Sequence, residues 1–129
     1  MRSPLPAMIK GIGLDLCRVS AMEKWAESGA PVRLFSEEEQ AYVGQKGVGK
    51  AQTLAGLFAA KEAYLKAQGV GIQSLNLNEI SVSHDEMGRP FYHLTDGEIE
   101  KNRQKGILSA YLSITHEGGM AAALCILEG

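Results

Sequence analysis

The residues best suited to chemistry in this sequence are a carboxylate and an ammonium one helical turn apart. Glu62 and Lys66 stand at positions i and i+4, so both side chains would project from one side of a helix. A carboxylate suits a hard cation and an ammonium suits a phosphate, so the pair could grip a metal–phosphate ligand. The same spacing also describes a surface ion pair worth roughly 0.2–0.5 kcal/mol, which on spacing alone is the more common case.

The segment that positions this pair is predicted to be the longest helix, from about residue 51 to 68, with Gly69 as its C-cap. Its large apolar side chains share one arc of a helical wheel, which should pack on a sheet. Glu62 lies at the rim of that arc, where a partly desolvated carboxylate prefers a partner cation. Lys61 falls inside the arc, which amphipathicity does not explain; it either snorkels outward or points into a pocket.

A second carboxylate lies in the middle of a predicted strand. Between Ile12 and Leu16 apolar residues alternate with Gly13 and Asp15, so the two sets face opposite sides of the strand. Acidic residues are disfavoured inside strands, and Asp15 therefore needs a specific reason to be there.

The remaining elements follow from capping and turn signals. Capping-box spacing, a Ser or Thr followed three residues later by Glu, predicts helix starts at Ser20, Ser36 and Thr95. Two hairpins are predicted, 79–83 with 90–94 and 110–117 with 120–127, and the last strand should be central because it is apolar on both faces. This order favours an α+β fold, in which a largely antiparallel sheet packs against one long helix and several short helices, the helix after Thr95 lying on the surface.

Composition limits the class of protein. The 129 residues, 45% hydrophobic and 22% charged, indicate one globular domain, predicted over 8–129 after a flexible tail at 1–7. A net charge of −2 argues against nucleic-acid binding, and no apolar run approaches the roughly 20 residues of a membrane span. Without a signal-peptide core the protein is expected to be cytoplasmic, with Cys17 and Cys125 as reduced core thiols. Met8 could be an alternative start.

Two other signals are weaker. Residues 44–50 match most of a phosphate-binding loop, but Ala51 stands where a Ser or Thr would hold magnesium, so we interpret the segment as a flexible connection. His84 and His93 are expected on the surface. His116 follows a Ser-Ile-Thr run near a glycine turn, and a strand histidine of this kind is more often structural than catalytic.

Three segments together resemble a known family. They are Gly11–Asp15 (GIGLD), Phe58–Ala67 (FAAKEAYLKA) and Leu112–His116 (LSITH). In this order they resemble the three motifs of the 4′-phosphopantetheinyl transferase superfamily, and the short length is similar to its single-domain members that act on acyl carrier proteins. The similarity spans about 8–128, nearly the whole chain.

The resemblance implies Mg²⁺-dependent transfer of 4′-phosphopantetheine from coenzyme A to a serine of an apo acyl carrier protein, releasing adenosine 3′,5′-bisphosphate, in fatty acid biosynthesis. Asp15 and Glu62 would hold the Mg²⁺ and Lys66 would reach a phosphate, so these three are the predicted catalytic residues. The coenzyme A cleft would be formed by Lys61, Lys66, Gly69, Gly71, Arg89, Pro90, Ser113, Thr115 and His116. The general base stays open between Glu62 and a metal-bound water.

The resemblance also implies a homotrimer with each active site between two subunits, which would let Lys61 face a neighbour or ligand. Family members often carry Arg, Ser, Thr and His where this chain has Leu57, Leu65, Val70 and Tyr111. The first helix region offers few basic residues for an acidic carrier. Three alternatives therefore stay open: the same transfer onto a polyketide-type carrier, a trimeric coenzyme A-binding protein without transfer activity, and a non-enzymatic interaction module.

Overall fold

The structure, a computed structural model, describes residues 6–71 and 77–129. In chain order its strands and α-helices are β1 (Ile9–Arg18), α1 (Glu23–Ser28), α2 (Glu37–Gly44), α3 (Lys50–Gln68), β2 (Ile80–His84), β3 (Pro90–Leu94), α4 (Asp96–Gln104), β4 (Ser109–Glu117) and β5 (Met120–Glu128). This arrangement confirms the predicted α+β class. The predicted tail at 1–7 lies mostly outside the described residues, and the division into tail and domain stays a prediction.

The strands form two antiparallel sheets, where one sheet was expected. The larger sheet has the order β1-β5-β4, which confirms that the last strand is central, and the smaller one is the β2–β3 hairpin. Helix α3 packs across the inner face of the larger sheet and carries much of the hydrophobic core. Both cysteines are free and buried on this inner side, as predicted for core thiols.

Capping explains where some of the helices begin. At Ser36 both halves of the capping box form, because its hydroxyl accepts from the Glu39 N–H and the Glu39 carboxylate accepts from the Ser36 N–H. At Thr95 the side chain accepts from the Glu98 N–H. Near Ser20 a short helical segment begins as predicted, but the capping box does not form: a 3-10 helix at Val19–Met22 leads into α1 without a side-chain cap.

Helix α4 buries two polar residues, although its charged sequence predicts a surface helix. Glu98 and Asn102 are buried, and both bond to the hydroxyl of Tyr64 on α3, which donates to the Glu98 carboxylate and accepts from the Asn102 amide. Gln68 adds a bond to each of Tyr64 and Asn102. A charged sequence thus supplies the polar network that ties α4 to the last turn of α3.

Two glycines set the distance between β1 and α3. A Cβ built on Gly11 or Gly13 would overlap the carbonyl oxygen of Ala67 or Ala63 respectively, so the helix backbone lies directly on the strand backbone. From Gly11 to Gly13 the strand advances about 6.6 Å, and from Ala63 to Ala67 the helix advances about 6 Å. These distances are similar, so both close contacts can form at once. Only residues without a side chain permit this approach.

The alternation in β1 is confirmed, and the apolar set faces away from the helix. Ile12, Leu14 and Leu16 are 60–64% exposed, and Tyr111 of β4 and Leu124 of β5 share their face of the sheet. The inner face of β1 carries Gly13 and Asp15 instead. No helix among residues 6–71 and 77–129 is long and apolar enough to cross a membrane.

Candidate active site

The candidate site centres on Asp15, which the inner face of β1 turns toward α3. The Lys66 ammonium donates to Asp15 Oδ1 at 2.8 Å and to the Leu14 carbonyl oxygen at 3.2 Å. The Asp15 side chain is only 14% exposed, whereas that of Lys66 is 54% exposed. The carboxylate is therefore held in a recess, and the lysine reaches it from the solvent side.

Glu62 brings a second carboxylate to the same place. It is half-buried, and its pKa is raised by desolvation first and then by the negative charge of Asp15, while the Lys66 charge acts to lower it. Burial and the same two carboxylates raise the pKa of the Cys17 thiol. Asp15, Glu62 and Lys66, predicted from two motifs, therefore form one electrostatic cluster.

The donor set at this cluster fits a magnesium ion. Mg²⁺ takes few protein carboxylates and completes its shell with water and phosphate oxygens. Asp15 and Glu62 would supply two hard oxygen ligands, and the Lys66 ammonium pairs with Asp15. No group of three or more His, Cys, Asp or Glu residues that could hold a metal exists in the described part of the chain. Two protein carboxylates would leave positions in the shell of Mg²⁺ for phosphate and water oxygens.

Lys61 is not at this site, which corrects the prediction that it binds the cofactor. Its side chain is fully buried, and its ammonium pairs with Glu39 Oε1 at 2.7 Å and donates to the carbonyl oxygens of Leu77 and Ile80. All three donors are used, so none is left for a ligand. Burial lowers its pKa, while Glu39 acts to raise it. Lys61 neither snorkels outward nor faces a neighbouring subunit.

The predicted cofactor-binding glycines and hairpin residues lie at the end of α3 and at the β2–β3 hairpin. Gly69 caps α3 in the left-handed conformation, with φ of +74°, as the sequence predicted. Gly71 is exposed. Arg89 is exposed and donates its backbone N–H to Asp85, and Pro90 begins β3 beside a cavity. These positions are compatible with a ligand cleft, and their role stays a prediction.

The third motif is divided between the two faces of the sheet. His116 lies on the inner side and bonds through Nε2 to the Gln52 carbonyl oxygen at 2.9 Å. Ser113 and Thr115 alternate with it and pair with Leu124 and Ala122, so they stand on the outer face with Leu14 and Leu16. The structure therefore does not bring Ser113 and Thr115 to the carboxylates of their own chain.

A cavity of about 240 Å³ opens between α3, the β2–β3 hairpin and β4. It is lined by Tyr42, Thr53, Gly56, Leu57, His84, Gly88, Pro90, Ile114 and His116. Thr53 and His84 were not predicted here, and no local pattern indicates them, because α3 and the hairpin meet only in the folded chain. Gly56 permits the approach of β4, since a Cβ there would lie 3.0 Å from His116 Nε2.

Two of the departures from the family pattern concern the core. Leu57 and Leu65 are buried to 2% and 1% exposure, so they stabilise packing in this chain. Tyr111 lies on the outer face, where its hydroxyl donates to Glu128 at 3.2 Å.

The sequence match and the fold identify the family. The model of the 4′-phosphopantetheinyl transferase superfamily matches residues 11–125, and the chain belongs to this superfamily. It is 44% identical over 123 residues to the holo-acyl-carrier-protein synthase of Treponema denticola, covering 95% of this chain and 100% of the relative.

Solved structures agree. The holo-acyl-carrier-protein synthase of Neisseria meningitidis superposes with a TM-score of 0.83 at 28% identity, covering 95% of this chain and 100% of that one. The enzyme of the same name from Bacillus anthracis, solved in complex with CoA (3′,5′-ADP), gives 0.77 at 33% identity, covering 95% and 98%. The predicted family and fold are thereby confirmed.

Proposed function

We propose that this chain transfers 4′-phosphopantetheine from coenzyme A to a serine hydroxyl of an apo acyl carrier protein, using Mg²⁺. The observation that carries the proposal is the convergence of Asp15, Glu62 and Lys66 from two motifs on one recess. The names of the relatives and the coenzyme A complex of the Bacillus anthracis enzyme support the choice of substrates.

The chemistry needs positioning and charge more than a strong side-chain nucleophile. The serine oxygen forms a bond to the phosphorus that bears the pantetheine arm, the bond from that phosphorus to the bridging oxygen breaks, and adenosine 3′,5′-bisphosphate leaves while the serine proton goes to a base. Asp15 and Glu62 would hold Mg²⁺, which neutralises charge on the diphosphate. Lys66 would bind a phosphate oxygen, and the serine proton would pass either to Glu62 or to a metal-bound water.

The direct test is the intact mass of an apo carrier after incubation with this protein, coenzyme A and Mg²⁺. A gain of one phosphopantetheine is expected, and running fatty-acid-type and polyketide-type carriers in parallel identifies the preferred one. If no divalent metal supports a mass gain, the proposal is wrong. Coenzyme A binding by calorimetry in that case would favour the non-transferring coenzyme A-binding protein.

Asp15→Asn and Glu62→Gln are each expected to reduce transfer by at least about 100-fold, because each removes a charge from the metal site. Both keep the shape of the side chain, so circular dichroism and urea unfolding should stay close to wild type. Initial rates of carrier modification at saturating coenzyme A provide the measurement. Near-wild-type rates in either variant would show that the metal site is assigned to the wrong carboxylate.

We infer that the protein acts as a homotrimer through the outer face of the larger sheet. Ile12, Leu14 and Leu16 form a row of exposed apolar side chains on β1, and monomers rarely leave such a patch uncovered. Ser113 and Thr115 stand on the same face, away from the carboxylates of their own chain. A coenzyme A-lining role for them therefore requires that this face meet the site of another copy.

Leu14→Asp is expected to dissociate the assembly, because it places a charge in the middle of the apolar row. Sedimentation velocity should show monomers at concentrations where wild type is trimeric, and transfer should fall with dissociation. Ile99→Asp, an exposed apolar position on α4, is the matched control and should leave the assembly intact. A trimeric Leu14→Asp protein would exclude this face as the interface.

A further inference from the structure

The lysine of the site binds oxygen atoms that could also serve a metal. Its ammonium lies 2.8 Å from Asp15 Oδ1 and 3.2 Å from the Leu14 carbonyl oxygen, two of the oxygens a divalent cation would seek in this recess. Asp15 and Glu62 repel each other electrostatically, and the lysine charge relieves that repulsion. The folded chain thus already carries a cation at its candidate metal site.

We propose that Lys66 is the resident counter-ion of this site: it must release Asp15 before a divalent cation binds, and it then pairs with the phosphate of the arriving ligand. The inference rests on the proposed function, because it assumes that metal and phosphate meet between Asp15, Glu62 and Lys66. It adds that the metal and the phosphate ligand bind together much better than either binds alone.

Electrostatics favours the exchange. An ammonium and a divalent cation a few ångströms apart on the same carboxylate repel each other, so each weakens the binding of the other to Asp15. The phosphate ligand supplies the negative charge that draws the ammonium away. Binding of the phosphate ligand therefore strengthens metal binding, because it draws Lys66 away from Asp15. By thermodynamic linkage, metal binding strengthens binding of the phosphate ligand by the same factor.

The side chain is built to make this move. Lysine is a point charge on a flexible stem, and the Lys66 side chain is 54% exposed, so it can change partners without disturbing the core. Lys61, one residue before Glu62, shows the opposite arrangement, because it is fully buried and uses all three donors within the protein. One lysine of the motif is fixed and the other is free to exchange.

The test measures Mn²⁺ binding to the full-length protein by electron paramagnetic resonance, without coenzyme A, at pH 8 and fixed ionic strength. Lys66→Met should bind Mn²⁺ at least about threefold more tightly than wild type, because the competing charge is gone. Lys66→Arg keeps the charge and should behave as wild type does. Lys101→Met, an exposed lysine on α4, controls for the change in net charge.

Coenzyme A binding, measured by calorimetry without a carrier, should move in the opposite direction. Lys66→Met should bind coenzyme A more weakly, and in transfer assays raise its KM more than it lowers kcat. The factor by which coenzyme A tightens Mn²⁺ binding should also be smaller in this variant than in wild type. A lysine that only held a phosphate would weaken coenzyme A binding without tightening Mn²⁺ binding.

The counter-ion role is wrong if Lys66→Met binds Mn²⁺ no more tightly than wild type, or if neither protein binds Mn²⁺ without coenzyme A. These outcomes are independent of the transfer assay. If the wild-type protein transfers phosphopantetheine but Lys66→Met has the Mn²⁺ affinity of wild type, the counter-ion role is wrong and the proposed function stands. If Lys66→Met binds Mn²⁺ more tightly but the wild-type protein modifies no carrier, the proposed function is wrong and the counter-ion role stands.

Discussion

Lys61→Met is expected to destabilise the fold by about 3–5 kcal/mol, although methionine matches the lysine stem in length. The substitution leaves the Glu39 carboxylate buried without its cation and leaves the carbonyl oxygens of Leu77 and Ile80 without a donor. Glu39 keeps the N–H groups of Ser36 and Val82, which only partly compensate its charge. Urea unfolding at a fixed protein concentration provides the measurement, because self-association would otherwise contribute to the free energy.

The control is Lys101→Met, which removes the same charge from an exposed position of α4 and should change the unfolding free energy by less than about 0.5 kcal/mol. A Lys61→Met protein of wild-type stability would contradict the assignment of Lys61 and Glu39 as an ion pair that stabilises the fold. Because this pair links α3 to the α2 cap and to β2, its loss should also loosen the hairpin that bears Pro90.

Gly13→Ala is expected to lower the free energy of unfolding by about 3 kcal/mol, which is the upper end of the range for overpacking substitutions. The new methyl group would overlap the Ala63 carbonyl oxygen and lie 2.8 Å from the Ala67 nitrogen, and both are backbone atoms that no rotamer change can move. Helix α3 would therefore have to shift away from β1. The shift would separate Asp15 from Glu62, so Mn²⁺ binding should weaken together with stability.

Gly97→Ala provides the matched control for that substitution. Gly97 lies in α4 with no atom within 4 Å of a built Cβ, so alanine there should be neutral or stabilising by up to about 1 kcal/mol. Unfolding free energy and Mn²⁺ affinity are compared in both variants. A Gly13→Ala protein with wild-type values for both would contradict the close backbone contact between β1 and α3.

Local patterns predicted the elements well, because they depend on neighbours in sequence. The C-cap at Gly69, the capping box at Ser36 and the central position of β5 all follow from a few adjacent residues. The alternation in β1 defined two faces, but it could not show which face meets α3. Glycine decides that question, since only the Gly13 face allows the helix backbone to approach.

Contacts between residues far apart in the sequence could not be predicted from local patterns. The helical wheel placed Lys61 among apolar residues correctly, but its partner Glu39 lies on another helix whose position only the folded chain determines. Helix α4 lies on the surface as predicted, but hydropathy could not show that two of its polar residues are buried. Hydropathy counts Glu98 and Asn102 as exposed, whereas the Tyr64 hydroxyl gives both a partner inside the protein.

The alternation of β1 has a consequence for how the strand tolerates change. Asp15 lies between Leu14 and Leu16, so a slip of one residue against β5 would exchange the two faces along the whole strand. The carboxylate would then point outward, and leucine side chains would meet a helix backbone that has room only for glycine. Insertions and deletions in β1 should therefore be far less tolerated than substitutions, because the register of this strand is fixed by steric exclusion on one side and by its apolar row on the other.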